Sequence, residues 1–332
     1  MVNMKANRGE VGSRQKYAEL LCDFMFKRVF GSVSNKDVLI DFLNMLLEDV
    51  EIEDVDFIPT EHQGLTEEDR KVIFDISCVC KDGRSFIIEM QKGYQKYFRQ
   101  RALYYTTYPI NEQGRFARDL YFKEKSEVGN ENNVKFKWDY NLKPVTVVAI
   151  LNFQFDHIED WPIDKYHSSY RLREDTSHEI MTDVLRFVFL ELGRFKKRIW
   201  ELESVFDKWM YLLKHMHEMV NIPDEFNEPV FNRLFLLGEI DNFTAEEYKQ
   251  YQKSLETMSE LDNVIDSTAM LAEKRGRELG LAEGRSEGLV QGRSEGSYNK
   301  SIEIAKNMLS MSIDIETTAK ATGLSVEEIS KI

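Results

Sequence analysis

The chain has 332 residues, of which 42% are hydrophobic and 31% are charged, as expected for a globular protein with a substantial core. Its formal net charge of −14 excludes binding to nucleic acid through an overall excess of positive charge, so any such contact must be local. No apolar run resembles a signal peptide or a membrane span, which predicts a cytoplasmic protein without a membrane partner. Cys22, Cys78 and Cys80 suit neither a disulfide framework nor a zinc site, and we expect them to be reduced.

Hydrophobic periodicity predicts an alternation of helices and strands along most of the chain. In chain order these are two amphipathic helices within 17–47 separated at Gly31, an edge strand or a lead into the sheet within 50–59, and a hairpin of apolar strands within 71–94. A helix over 97–110 that ends near Pro109, a buried strand within 143–155 and helices over 181–217 follow. This order predicts a mixed α/β core over 15–160, a helical extension packed on it over 161–268, and a helical tail over 269–332.

The tail contains an internal repeat of three octads, GRELGLAE, GRSEGLVQ and GRSEGSYN, with glycine at every fourth position of 276–299. On a helix these glycines form a stripe, and each one costs up to ~1 kcal/mol relative to alanine. One interpretation is close approach of a second helix, which predicts a homo-oligomer assembled through the tail. The other interpretation is a solvated, low-complexity linker.

The last segment, IETTAKATGLSVEEISKI, has the outline of a helix-turn-helix around Gly323. Its second helix would begin with Glu327 and Glu328, whose negative charge repels phosphate. The pattern therefore favours a small helical hairpin for self-association over a DNA-recognition element.

The apolar hairpin carries two acidic residues, Asp75 and Glu89, whose relative position depends on the turn between the strands. A two-residue loop at Asp82 and Gly83 would put them on opposite faces, because side chains alternate along a strand. An odd loop or a bulge at Gly83 would put them on one face, with Asp75 opposite Gln91. We predict the odd loop, since only that parity forms a site.

Two carboxylates on one face repel each other unless a cation joins them or one keeps its proton. Hard oxygen ligands of this kind suit Mg²⁺, and phosphodiester hydrolysis is the chemistry that such a site supports. The alternative interpretation is a pair of exposed acids on the solvated face of a hairpin.

The spacing Asp-x13-Glu-x-Gln across a hairpin resembles the PD-(D/E)xK nuclease superfamily, in the branch that carries glutamine where most members have lysine. The flanking segments DFMFKRVFGSVSNKDVLIDFLNMLLE, FIIEMQ, RALYYT and LKPVTVVAILNF are together similar to the Rpn and PD-(D/E)xK family transposase group, the recombination-promoting nucleases of bacteria. The resemblance extends over nearly the whole chain from Tyr17. It implies a restriction-endonuclease-like mixed sheet flanked by helices, and a Mg²⁺-dependent DNA endonuclease linked to recombination or mobile elements.

By the same resemblance, Asp75 and Glu89 are the metal-binding acids and Gln91 takes the place of the superfamily lysine. Asp23, in the DFMFK segment, is a candidate third acid, and Lys27 is a candidate cation. Because an amide neither takes a proton nor supplies positive charge, an alternative is a catalytically inactive DNA-binding or scaffold protein that keeps the nuclease fold.

Two further sets of residues are candidates for roles at this site. Lys71 is a second possible source of positive charge.

Replacing Gln91 by lysine is expected to keep or raise activity, because it restores the commoner superfamily arrangement. The helix after the hairpin carries a possible basic and aromatic edge for DNA phosphates, formed by Arg99, Arg101, Tyr104 and Tyr105.

Overall fold

A computed structural model describes residues 15–62, 72–127, 136 and 138–332, so Lys71 lies outside the described residues. The strands are β1 (Asp56–Phe57), β2 (Glu61–His62), β3 (Val72–Ile73), β4 (Ile76–Val79), β5 (Ser85–Gln91), β6 (Val145–Leu151), β7 (His167–Arg171) and β8 (Leu185–Glu191). The helices are α1 (Asp23–Phe30), α2 (Lys36–Leu46), α3 (Phe98–Glu127), α4 (Val205–His215), α5 (Pro229–Gly238), α6 (Ala245–Ser310), α7 (Ile315–Thr322) and α8 (Val326–Ile329). Short 3₁₀ turns cover Val33–Asn35, Ile199–Glu201, Met216–Glu218 and Ile240–Asn242.

Six strands form one mixed sheet in the order β1-β4-β5-β6-β8-β7, while β2 and β3 pair separately. The three central strands, β5, β6 and β8, run parallel, and the outer strands join them antiparallel. Every residue of β6 is buried, as its continuous β-branched run predicts for a strand covered on both faces. The predicted restriction-endonuclease-like α/β fold is confirmed, and β1 is the expected edge strand.

The two faces of this sheet bury alternate residues of each strand. One face packs Phe86 and Ile88 into the large core formed with α1, α2, α4 and α5. The other face packs Ile87, Ala149 and Phe189 against the start of α3. Because side chains alternate, Glu89 and Gln91 share the α3 face with Ile87.

The predicted boundary at residue 160 and the helical extension over 161–268 are partly wrong, because β7 and β8 of the main sheet lie beyond that boundary. The segment LRFVFLE, predicted to be helical, is β8 and pairs in parallel with β6. A buried strand and a buried helix both appear as an unbroken apolar run, so periodicity does not separate them.

The helix after the hairpin also continues much further than predicted. Pro109 lies inside α3, although a proline in a helix interior costs ~3 kcal/mol. Its side chain is buried on the same face as Ala102 and Tyr105, which pack on the sheet. Burial of this face outweighs the lost hydrogen bond.

The chain divides into two compact units whose boundary falls between Asp262 and Asn263, close to the predicted start of the tail. In the second unit, the octad repeats are continuously helical within α6. A small core of Ala305, Leu324 and Ile329 joins the end of α6 to the two terminal helices. No helix in the described part of the chain has the length and apolar character needed to cross a membrane.

Candidate active site

The turn between β4 and β5 has three residues, Lys81, Asp82 and Gly83, so the predicted odd loop is confirmed. The Cys80 N–H donates to the Arg84 carbonyl over 2.8 Å and closes this loop. Gly83 has φ of +90°, a left-handed conformation that favours glycine over residues with a Cβ.

The register differs from the predicted one by two residues. The pairing of Ile76 with Ile88 places the preceding residue, Asp75, level with Glu89 and not with Gln91. The loop begins one residue earlier than expected, and this brings the two acids closer together along the strands.

Backbone N–H groups hold the carboxylates of Asp75 and Glu89 beside each other. The Met90 N–H donates to Asp75 Oδ2 over 2.8 Å, and the Asp75 N–H donates to Glu89 Oε1 over 3.2 Å. Within the described residues, these bonds use one oxygen of each carboxylate and leave the other oxygen for a ligand. Glu89 is only 4% exposed, so the alternative of two acids on a solvated hairpin face is wrong for this residue.

Burial makes both acids hold their protons more tightly, and repulsion by Asp75 adds to this effect at Glu89. Burial raises the pKa of Asp75 above its ordinary value. Burial, followed by the negative charge of Asp75, raises the pKa of Glu89 to about 8. Without a cation, the pair therefore holds a proton near neutral pH.

Gln91 binds an arginine that the sequence analysis placed on a possible DNA-binding edge and not at the acids. The Arg101 Nη2 donates to Gln91 Oε1 over 2.7 Å, and the guanidinium lies 4.9 Å from the Phe98 ring centre and 5.5 Å from that of Tyr105. Its positive charge lowers the pKa values of both acids. Arg101 thus brings a positive charge to Gln91 and close to both acids. In the sequence, Arg101 could have been recognised as a charged residue on the same helix face as Phe98 and Tyr105, which are buried.

Asp23 and Lys27 lie on α1 near this site, but they pair with each other. Lys27 Nζ is 2.7 Å from Asp23 Oδ1, and both side chains are largely exposed. The end of α1 approaches β4 closely, since a Cβ on Gly31 would lie 3.3 Å from Ile76. Lys27 lowers and Asp23 raises the pKa of Asp75, so both act on the acid pair electrostatically.

The residues of the predicted basic and aromatic edge divide between core and surface. Tyr105 is buried in the core beneath α3, where burial raises its pKa to about 12. Tyr104 and Arg99 are exposed. Only part of the predicted edge is therefore available to a ligand.

A groove of about 980 Å³ lies next to the acid pair, between α1, the end of β5 and the first turns of α6. It is lined by Asp23, Lys27, Met90 and Lys92, among others, but not by Asp75 or Glu89. Most of its cations face an acid, since Lys92 Nζ lies 2.7 Å from Asp262 and Arg28 pairs with Glu247.

The acid pair fits a hard divalent cation. Within the described part of the chain, no three acidic, histidine or cysteine side chains are grouped as a complete metal cage. Mg²⁺ takes one or two protein carboxylates and keeps other positions for water and phosphate, so Asp75 and Glu89 suffice. Burial is the largest cause of their raised pKa values, and a cation bound between them would lower both.

Comparison with protein-family models is consistent with this geometry. Residues 20–268 match the model for the PD-(D/E)XK nuclease family transposase. The chain belongs to this family. Residues 299–332 match the C-terminal HTH domain of the Rpn/YhgA-like nuclease family. Neither a curated protein nor a solved structure matches the chain.

The second match favours a helix-turn-helix for the last segment, whereas its sequence pattern had favoured a hairpin for self-association. In this PD-(D/E)XK family member, α7 ends at Thr322 and is capped by Gly323, which has φ of +73°, and α8 follows after a short turn. Glu328, whose charge argued against DNA, caps α8 by accepting from the Ser325 N–H over 2.8 Å. It also accepts from Tyr298. This acid therefore has a structural role within the domain.

The raised pKa of Glu89 predicts a pH-dependent stability in metal-free protein. Between pH 4.5 and about 8 the unfolded chain has lost this proton and the folded chain keeps it. The free energy of unfolding should therefore fall as pH rises through that window, by up to ~1.4 kcal/mol per pH unit. Glu89→Gln should remove this fall, so the variant gains stability over the parent at pH 8 relative to pH 5.

Melting temperatures in EDTA from pH 5 to pH 8 measure this effect. Adding Mg²⁺ at pH 8 should raise the melting temperature of the parent protein more than that of the variant. Parallel pH profiles for the two proteins would show that Glu89 does not titrate in this window.

Proposed function

We propose that this protein is a Mg²⁺-dependent DNA endonuclease that acts in recombination or on mobile DNA in the cytoplasm. The observation that carries the proposal is the pair of backbone hydrogen bonds to Asp75 and Glu89, which holds two acids with raised pKa values next to each other. Family membership supports a nuclease, and the helix-turn-helix match supports DNA as its substrate.

Asp75 and Glu89 would hold the metal ion in this proposal. When bound, Mg²⁺ supplies positive charge to a phosphate and activates water for attack. The backbone N–H groups of Asp75 and Met90 fix the orientation of both carboxylates. Gln91 orients Arg101, whose fixed charge stabilises negative charge as it develops on the phosphate.

The arrangement of Gln91 favours an active site over a decayed one. In a decayed site, a glutamine that replaced a catalytic lysine would not be expected to bind another cation. Here Gln91 accepts a hydrogen bond of 2.7 Å from the Arg101 guanidinium. Here the pair places a permanent cation near the acids, so a positive charge reaches the site from α3 instead of β5. This supports the endonuclease over the catalytically inactive scaffold.

Nicking of supercoiled plasmid by the purified protein tests the proposal. We expect nicking with Mg²⁺ and none after addition of EDTA. DNA binding without cleavage under both conditions would favour the inactive DNA-binding alternative. A Lys27→Gln variant should keep more activity than variants of either acid, because Lys27 is already paired with Asp23.

We also propose that the glycine stripe of α6 mediates self-association. A Cβ added at each of six glycines would meet nothing within 4 Å in the described structure, so this helix surface is open: Gly276, Gly280, Gly284, Gly288, Gly292 and Gly296. The proposal is supported by the accumulated helix-propensity cost of the stripe, which close backbone packing would offset.

Sedimentation of full-length variants tests the tail proposal. We expect the parent protein to be oligomeric and a variant with Gly280, Gly284 and Gly288 replaced by leucine to dissociate. The matched alanine variant raises helix propensity while adding far less volume, so it should dissociate less. A monomeric parent protein would support the solvated linker instead.

A further inference from the structure

A second cluster of titratable side chains lies at the same edge of the sheet as the acid pair. Glu191 is the last residue of β8, and the parallel register aligns Gln91 with Leu151 and Leu151 with Glu191. Strands in a sheet lie about 4.8 Å apart, so Gln91 and Glu191 are separated by roughly 10 Å on the same face. The acids, Arg101 and this cluster therefore lie at the same end of the sheet, where β5 and β8 finish.

Glu191 is buried and holds the loop that follows β6. It accepts from the Phe155 N–H over 2.7 Å and from Arg194 Nε over 3.2 Å. Its Oε1 lies 2.6 Å from His157 Nε2, and the His157 side chain is only 5% exposed. The His157 ring stacks on Trp161 with a centroid separation of 3.8 Å. This environment fixes the orientation of the imidazole.

The other nitrogen of His157 faces an arginine on α3. Arg99 Nη2 lies 3.4 Å from His157 Nδ1. With Nε2–H donating a hydrogen bond to the Glu191 carboxylate, Nδ1 is left as the acceptor for the Arg99 guanidinium. The chain Glu191–His157–Arg99 thus has a consistent donor and acceptor at every step.

Arg99 is held without being neutralised. Its guanidinium lies 4.3 Å from the centre of the Phe155 ring, and the side chain is exposed. Within the part of the chain that the structure describes, neither Arg99 nor Arg101 forms an ion pair with a carboxylate, in contrast to Lys27 and Lys92. An imidazole and an amide orient the two arginines and leave their positive charge for an anion.

We propose that Arg99 is a phosphate-binding residue for a nucleic-acid strand, and that His157 and Glu191 are its positioning residues. It would bind a phosphate next to the one at the acid pair, with Arg101 between them along the same edge. A planar guanidinium presents paired N–H donors that match phosphate oxygens. This inference rests on the proposed function only in taking nucleic acid as the ligand.

A set of full-length variants tests the proposal by DNA binding. Arg99→Gln removes the charge, and His157→Phe removes both ring nitrogens while keeping an aromatic ring beside Trp161. Arg118→Gln is the matched control, because it makes the same change in charge on an exposed part of the same helix. Binding is measured by fluorescence anisotropy of a labelled duplex in EDTA over a range of salt concentrations.

We expect Arg99→Gln to weaken binding about 10-fold, as for loss of one phosphate contact. The slope of the logarithm of the binding constant against the logarithm of the salt concentration should become shallower by about one. Arg118→Gln should change the dissociation constant by less than about 2-fold. His157→Phe should weaken binding in the parent protein but cause no further loss in the Arg99→Gln background, because its effect passes through Arg99.

His157→Phe removes one hydrogen-bond donor to Glu191 and could destabilise the fold, so a second variant is used to test the role of His157. His157→Gln retains a donor and an acceptor, and we expect its binding to lie closer to that of the parent protein. If His157→Phe does not fold, the comparison of Arg99→Gln with Arg118→Gln and the behaviour of His157→Gln decide the question.

Several outcomes would overturn the inference. Equal dissociation constants for Arg99→Gln and Arg118→Gln would show that Arg99 binds no phosphate, as would a parent protein that binds no duplex. A full His157→Phe effect in the Arg99→Gln background would make His157 a purely structural residue. Because EDTA prevents cleavage, failure of the endonuclease proposal shows separately, as a parent protein that binds DNA but never nicks plasmid in Mg²⁺.

Discussion

Asp75→Asn and Glu89→Gln should each lower the rate of plasmid nicking in Mg²⁺ by at least about 10³-fold, equivalent to roughly 4 kcal/mol of transition-state stabilisation. Each amide keeps an oxygen that can accept the backbone hydrogen bond seen at that position, from Met90 or from Asp75. The variants therefore remove the charge that binds the cation while keeping the local geometry. Relief of repulsion should leave their metal-free stability unchanged or higher.

Nicking rates and melting temperatures measured together check this prediction. Asp37→Asn is the matched control, since Asp37 is an exposed acid on α2 and its replacement makes the same change in charge. The control should keep its rate within about 2-fold of the parent protein, because most surface substitutions have small effects. Full activity in a well-folded Asp75→Asn protein would refute the catalytic role of the pair.

Gln91→Lys should lower nicking by about 10²-fold, since a misplaced positioning group commonly costs that much. This prediction differs from the expectation drawn from the superfamily pattern, in which the change keeps or raises activity. The Arg101 guanidinium already occupies the region near the amide oxygen. A lysine at position 91 would remove the acceptor and bring a second positive charge against it.

The exchange of both residues gives the decisive comparison. Arg101→Gln alone should also lower nicking by about 10²-fold, because it removes the cation from the site. The double variant Gln91→Lys with Arg101→Gln again pairs one cation with one amide, and we expect it to exceed both single variants. Additive losses in the double variant would show that the two residues do not act as a pair.

The sequence was sufficient for the fold class and for the acid pair, and particular residues show why. The apolar run of β6 and the two short strands around Gly83 are local signals that do not depend on distant contacts. Because side chains alternate along a strand, whether Asp75 and Glu89 share a face depends only on whether the loop between them has an odd or an even number of residues. The exact register was missed, because Gly83 takes the last loop position and moves the pairing by two residues.

The sequence missed features that depend on how elements meet. The segment LRFVFLE was predicted to be helical, since only its pairing with β6 identifies it as a strand. The role of Arg101 was missed because its partner, Gln91, is ten residues away on another element. Glu191 and Arg99 are further still in sequence, and they are connected through His157 on a third segment.

The sequence alone determined the order of helices and strands up to β6, the parity that puts Asp75 and Glu89 on one side of the hairpin, and the glycine repeat of the tail. The tertiary structure decided the level of Asp75 against Glu89, the place of β8 in the sheet and the supply of positive charge by Arg101. The physical reason is that periodicity records which side of a helix or strand is buried. It does not record the element against which that side packs, and the chemistry of this site depends on that packing.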